Sequence, residues 1–233
     1  MKDTKSGNSI LYGAAVIVFL LVRHILIEQE FFVKWLLSIA EPDFWVLYFD
    51  PIFYAVFALI FVVIQRKMLA ESVRDLIKNY KKYIPHVAVA VPVTLMLVVA
   101  SAITISSFGI GDSPNEAAIN EAVKAAPLIE GLTLILIGPF AEEMVFRGFI
   151  YEKVRCRIKD NRKLLICLWV FTAALLFALS HSDPEDLKSL KLMASYLIVF
   201  SEGLVMTVLY EKDRNIFSSL LLHCIINGIA FMK

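Results

Sequence analysis

Charge is scarce in this chain of 233 residues: Asp, Glu, Lys and Arg supply 19% of it, against 59% hydrophobic residues. A soluble domain carries about a quarter charged and about half apolar residues. The three cysteines, Cys156, Cys167 and Cys224, form an odd set without CxxC spacing. They suggest neither a disulfide framework nor a cysteine zinc site, and Cys224 reads as a small buried thiol. No internal repeat, low-complexity tract or linker interrupts the sequence. A surplus of one sign is missing too, since 23 Lys and Arg face 22 Asp and Glu. The near-zero net charge says nothing about partners; the scarcity of charge and the apolar excess, gathered in long runs, exclude a soluble enzyme, a disordered tail and a nucleic-acid module resting on a basic face.

What the chain does have is long apolar runs. Seven spans can be drawn, at 10–27, 44–65, 86–106, 128–151, 164–181, 192–210 and 215–232. Each is about long enough to cross hydrocarbon as a helix, and open sheets cannot satisfy their backbone there. The expected fold class is therefore an all-α polytopic membrane protein, a bundle of about seven transmembrane helices. Residues 1–127 would supply N-terminal helices and an outer amphipathic segment, and 128–233 the helical core of one integrated membrane domain. The first span follows Lys2 and Lys5 and runs into Arg23 and His24 with no small-x-small site, which predicts an uncleaved anchor. Residues 31–40 are too short to cross, and Lys34 and Trp35 suit the interface. The segment 107–127 carries a cap signal at Ser113 before Pro114, predicting a short amphipathic helix.

Loop charge sets the orientation. With the N-terminus inside, inner segments collect seventeen Lys and Arg and outer segments five, alternating loop by loop. That places the N-terminus in the cytoplasm and the C-terminus outside.

A charged side chain at the bilayer centre costs about 2.5–3.5 kcal/mol on insertion scales, so each one needs a reason. The fourth span holds Glu142, Glu143 and Arg147. Glu143 and Arg147 stand i,i+4 on one face and can pair. Glu142 is turned by about 100° from Glu143 and needs a different partner. Taken alone, the three have a lesser alternative reading as an ion cluster that locks helices together. His181 closes the fifth span, where an interfacial or capping role is the plainer reading. His223 and Asn227 stand i,i+4 in the seventh, where they could simply bond a neighbouring helix.

Their spacing joins them. The hairpin of spans four and five turns near Asp160 and Asn161. Glu142 lies roughly 27 Å of helix before that turn and His181 roughly 32 Å after it, so the two can be level. Glu, His, His and Asn converging in a membrane are the parts for activating a water and holding an oxyanion. There is no HExxH, no GxSxG-like serine elbow and no pair of intramembrane aspartates. Gly138-Pro139 breaks one span only, whereas a carrier would repeat such breaks in both halves. Depth is harder to reconcile. Counted from the inner surface, His181 is roughly 26 Å along its helix and His223 roughly 14 Å along its own; tilt can absorb part of that offset, or the seventh span begins inside the cytoplasm, and otherwise the site would open nearer the outer face.

At these residues the chain resembles the CPBP family, the CAAX-protease and bacteriocin-processing intramembrane proteases, whose motifs are EExxxR, FxxxH and HxxxN/D. They stand here in order as Glu142, Glu143 and Arg147, then Phe177 and His181, then His223 and Asn227. The resemblance covers about residues 128–232 and puts the motifs on helices four, five and seven. It implies an intramembrane endopeptidase cutting a membrane-associated peptide or protein tail in a prokaryotic plasma membrane, with no nucleic-acid partner. Glu142 and His181 would activate water, His223 and Asn227 would stabilise the oxyanion, and Glu143, Arg147 and Phe177 would support them. The family is described both as metal-independent and as zinc-dependent, and Glu142, His181 and His223 would be the zinc ligands. The amide of Asn227, a poor zinc ligand, favours the metal-independent form. The alternative is an inert membrane immunity or scaffold protein of the same fold, but such a protein has no reason to keep four costly polar groups. Glu130 and Glu202 lie outside the motifs; Glu202 reads as a buried group, paired or protonated.

Overall fold

The computed structural model describes residues 7–26, 29–107, 109, 121–181 and 196–232. The predicted cap at Ser113, most of the outer amphipathic segment, the start of the sixth span, and Lys2, Lys5, Lys188, Lys191 and Lys233 lie outside them. Among the described residues every regular element is helical. These are α1 (Gly7–His24), the short α2 (Glu30–Leu37), α3 (Pro42–Lys78), α4 (Tyr80–Ser107), a continuous rod α5 over residues 127–155, α6 (Lys163–Leu179), α7 (Leu197–Asp213) and α8 (Ile216–Phe231).

The surface is that of a protein solvated by lipid. Two helices are long and apolar enough to cross a membrane, at Leu47–Lys78 and Tyr80–Ser107, yet only 22% of the most apolar window of each is buried. The core helix of a soluble protein would hide such residues; here Leu59, Val63, Met96 and Ile103 point outward. An apolar outer face of that extent belongs in hydrocarbon, and the chain is a helical membrane protein. The shorter apolar helices Ser9–His24, Lys163–Leu179 and Ile216–Phe231 border the polar residues of interest.

Several element boundaries differ from the spans drawn on hydropathy. The second span, drawn to residue 65, continues as helix to Lys78 with a break at Gln65 (φ −105°, ψ 17°). The basic stretch 66–82 is thus helical on both sides of Asn79 rather than an open loop. Hydropathy detects where lipid ends, not where backbone hydrogen bonding ends. The fourth span is one rod but not one kind of helix. Pro127–Leu132, Gly138–Glu143 and Glu152–Arg155 are α-helical, while Thr133–Ile137 and Met144–Tyr151 are wider π turns.

The first π turn has a cause in sequence. Gly138 N–H reaches back five residues to the Thr133 carbonyl, and a Cβ at Gly138 would sit 3.0 Å from that oxygen. The next donor in this register would be residue 139, which is proline and has no N–H. Leu134 O is left without its backbone partner, and Asn227 Nδ2 of α8 donates to it at 2.8 Å. In the second π turn, Met144 O accepts from the Tyr12 hydroxyl of α1.

Helix α7 lies between α4, α6 and α8. Ser101 of α4 and Ser201 of α7 share a hydrogen bond at 3.0 Å, a polar contact of the kind that joins helices in lipid. The α7–α8 turn is tight: Arg214 takes a left-handed conformation at φ 52°, which costs a residue with a Cβ roughly 1–2 kcal/mol. Its guanidinium meets Glu152 at 2.7 Å and Glu211 at 3.0 Å, which offsets that strain. The same contacts explain the depth of the site. Because Arg214 meets Glu152, α8 starts level with Glu152 and not with the 156–162 turn. Glu142 lies about 15 Å back along α5 from that level and His223 about 12 Å along α8. The offset counted along the sequence assumed level helix starts, and a start of α8 beside Glu152 removes most of it.

Asn215 closes the turn. Its Oδ1 accepts from Phe217 N at 3.0 Å, capping α8, and its Nδ2 donates to Ser72 O at 2.9 Å across to α3. Asn215→Ala should therefore destabilise the fold by about 1–2 kcal/mol, seen as a lowered unfolding midpoint in detergent; an unchanged midpoint would mean that the turn holds without its cap.

Candidate active site

Arg147 is the most demanding side chain in the bundle, 1% exposed among apolar helices. Its Nη1 donates to Glu143 Oε1 at 2.7 Å, and its Nη2 to Gly203 O of α7 at 3.1 Å. The guanidinium carbon lies 4.6 Å over the Phe177 ring. Phe177 can sit there because residue 203 is glycine; a Cβ at that position would meet Phe177 Cδ1 at 2.8 Å. The predicted Glu143–Arg147 pair is therefore present and tied to α6 and α7. Phe177 carries the order onward, its ring centroid 4.7 Å from that of His181 and 5.9 Å from that of His223.

Both imidazoles are held by their Nδ1 atoms. His181 Nδ1 lies 2.8 Å from Phe177 O; a carbonyl only accepts, so this nitrogen carries the proton. His223 Nδ1 lies 3.2 Å from Glu143 Oε1 and donates to that carboxylate by the same logic. With protons fixed on Nδ1, each neutral ring presents a bare Nε2. Both Nε2 atoms face one atom, Glu142 Oε2, at 3.9 Å from His181 and 3.8 Å from His223. These separations exceed a hydrogen bond and suit groups that share a water.

The other oxygen of Glu142 has its own partner. Tyr54 of α3 donates to Glu142 Oε1 at 2.9 Å. A small cleft opens beside the carboxylate, lined by Phe19, Arg23, Tyr54, Glu142, Phe146 and His181 together with His24 and Ser180. It offers about 20 Å³ to solvent, room for roughly one water. Arg23 pairs loosely with Asp50 at 3.6 Å.

The structure thus brings Glu142, His181 and His223 together, with Glu143, Arg147 and Phe177 around them. Asn227 stands two turns of backbone away in its engagements: its amide holds Leu134 O, and it is absent from the cleft lining. Glu130 is buried near the start of α5, and Glu202 is partly buried in α7 with an interaction partner. Tyr54, Arg23 and His24 were not legible as site residues. Arg23 does sit in an apolar span, where a charge is costly, and that was the one available signal. Tyr54 is one of eight tyrosines with no local pattern around it.

For a metal, the donors have suitable chemistry: two bare Nε2 atoms, each ring held at Nδ1 by an oxygen, and one carboxylate. Yet among the described residues no group of three His, Cys, Asp or Glu side chains is gathered closely enough to hold a metal ion.

The chain is thus a helical membrane protein with a largely buried Glu–His–His cluster. Residues 124–229 match the Rce1-like family model, described as type II CAAX prenyl endopeptidase Rce1-like. It is 31% identical over 179 residues to the UPF0177 protein YvdC of Lactococcus lactis, covering 76% of this chain and 62% of that protein. It is 26% identical over 189 residues to the membrane-embedded CAAX protease MroQ of Staphylococcus aureus, covering 79% of this chain and 72% of that protein. The chain thus spans less than two thirds of the length of YvdC. No solved structure matches it at a significant level.

The two glutamates differ in surroundings, and their variants should differ in kind. Glu143→Gln leaves Arg147 without its counter-charge in a buried site and should cost about 3–5 kcal/mol. Glu142→Gln keeps an acceptor for Tyr54 and should leave the yield of folded protein near that of wild type. Size-exclusion profiles and unfolding midpoints of the two variants decide it; equal losses would refute the division.

Proposed function

We propose that this protein is an intramembrane endopeptidase that hydrolyses a peptide bond in a membrane-associated peptide or protein tail. One observation carries the reading: Glu142 Oε2 faces the Nε2 atoms of two histidines at 3.8–3.9 Å, beside a small cleft lined by Glu142 and His181. A water held there can pass a proton to Glu142 or His181 as it attacks the scissile carbonyl. The same groups return the proton to the leaving amine. His223 can donate to the developing oxyanion through Nε2 only with protons on both nitrogens, and the Glu143 carboxylate beside Nδ1 compensates that charge. Asn227 uses one amide N–H on Leu134 O and has a second to give. Kinship with MroQ, a membrane-embedded CAAX protease by name, supports the reaction class. The proposal extends to a prokaryotic plasma membrane, with the N-terminus cytoplasmic and the C-terminus outside.

The reaction is assigned to these side chains without a metal, since Glu142, His181 and Asn227 together supply a base and an amide donor. Glu142, His181 and His223 are the residues that would hold zinc in the alternative, where the ion would polarise the carbonyl or acidify the water.

The test uses the full chain in nanodiscs with fluorogenic peptides ending in a Cys-aliphatic-aliphatic-X sequence, with and without an isoprenoid on the cysteine. Hydrolysis in ¹⁸O-labelled water should place one label on the new carboxyl end, and Glu142→Gln should lower the rate by on the order of 10²–10⁴-fold while the protein stays folded. Activity should survive a strong chelator, with no stoichiometric zinc in the sample. One zinc per chain, loss of activity on chelation and recovery on adding zinc would turn the mechanism to a metalloprotease. Binding of the peptides without hydrolysis would favour the inert scaffold.

A further inference from the structure

The family match covers residues 124–229, yet the carboxylate at its centre is held by a side chain outside it. We propose that Tyr54, on α3, is a positioning residue: its hydroxyl holds Oε1 of Glu142 so that Oε2 alone is presented to His181 and His223. The inference rests on Glu142 acting as the base of the proposed hydrolysis.

Three observations support it. Tyr54 donates to Glu142 Oε1 at 2.9 Å, and both imidazole Nε2 atoms lie on the other oxygen. The two oxygens of the carboxylate are therefore made unequal by their partners, although the terminal torsion of Glu is soft and does not distinguish them. Arg23 also lines the cleft, and its guanidinium interacts first with Tyr54, then with Asp50, with Glu142 its weakest partner. Its counter-ion Asp50 is 3.6 Å away, and both side chains are partly open to solvent, so Tyr54 has polar partners in both Arg23 and Glu142. A hydrogen bond from Tyr54 opposes a swing of the carboxylate away from the histidines. Finally, the tyrosine itself is fixed. Its ring packs edge-on against Phe53 at 5.4 Å and tilted against Phe19 of α1 at 6.0 Å. A rigid phenol is a suitable device for orienting a soft carboxylate. The N-terminal helices are then more than an anchor: they complete the site.

Tyr54→Phe removes one oxygen and leaves the ring packing. In nanodiscs, with the same fluorogenic peptides, the variant should turn over about 10–100-fold more slowly, the scale of a hydrogen bond to a charged group. KM should stay within about twofold of wild type, because the loss falls on the reacting groups and not on substrate binding. Placing para-aminophenylalanine at position 54 restores an N–H donor and should recover much of the rate, which repair of packing alone would not do. An infrared readout needs no turnover: the Glu142 carboxylate band, assigned by its loss in Glu142→Gln, should shift in Tyr54→Phe. Active wild type with unchanged turnover in Tyr54→Phe, no recovery with the amino analogue, or an unmoved band would overturn the positioning role alone. A wild-type chain that hydrolyses none of the peptides would overturn the proteolytic reading and this proposal with it.

Discussion

A guanidinium inside an apolar bundle can persist only if every face of it is answered, and Arg147 sets that demand for this fold. Glu143 neutralises it, Gly203 O takes a second N–H, and Phe177 lies beneath it. Each answer comes from a different element: α5 itself, α7 and α6. Satisfying one charge in lipid thus gathers three helices at one depth. The histidines follow from this packing. Phe177 and His181 share a helix turn, and His223 docks its Nδ1 on the glutamate that Arg147 holds. The arrangement of the centre follows from the rules for burying charge, with Glu142, unlike Glu143, facing a cleft.

The same constraint acts on the backbone of α5. Near its two π turns, carbonyls of α5 accept from side chains of α8 and α1: Asn227 on Leu134 O and Tyr12 on Met144 O. Wide turns are common near functional sites because they re-aim side chains within a helix. Here they bracket Gly138–Glu143, the segment that carries both glutamates. Asn227 therefore has a structural duty whatever else it does, and its i,i+4 partnership with His223 links that duty to the site.

Much of this was legible in the sequence because lipid makes polar residues conspicuous. Apolar runs gave helices at the right places, and the i,i+4 spacing of Glu143 and Arg147 gave their pairing. Equal helix lengths about the 156–162 turn gave the meeting of Glu142 with His181. What escaped shares a different character. The extension of α3 to Lys78 lies in charged sequence where hydropathy is silent, and the level at which α8 begins depends on Arg214 reaching Glu152, a contact across some sixty residues. Tyr54 gives no local signal either, since its partner is 88 residues away. Long-range contacts of single ordinary side chains leave no periodicity to read.

The central claim is that Glu142 and His181 act on one water as a unit. Residues that act together lose little more when both are removed than when either is. Single-turnover rates for Glu142→Gln, His181→Ala and the double variant, on one peptide and in one nanodisc preparation, test this most directly. The account predicts a double variant within about tenfold of the slower single variant. Losses that multiply, so that each substitution costs the same factor with or without the other, would mean that the two side chains serve separate steps, and would contradict the shared water.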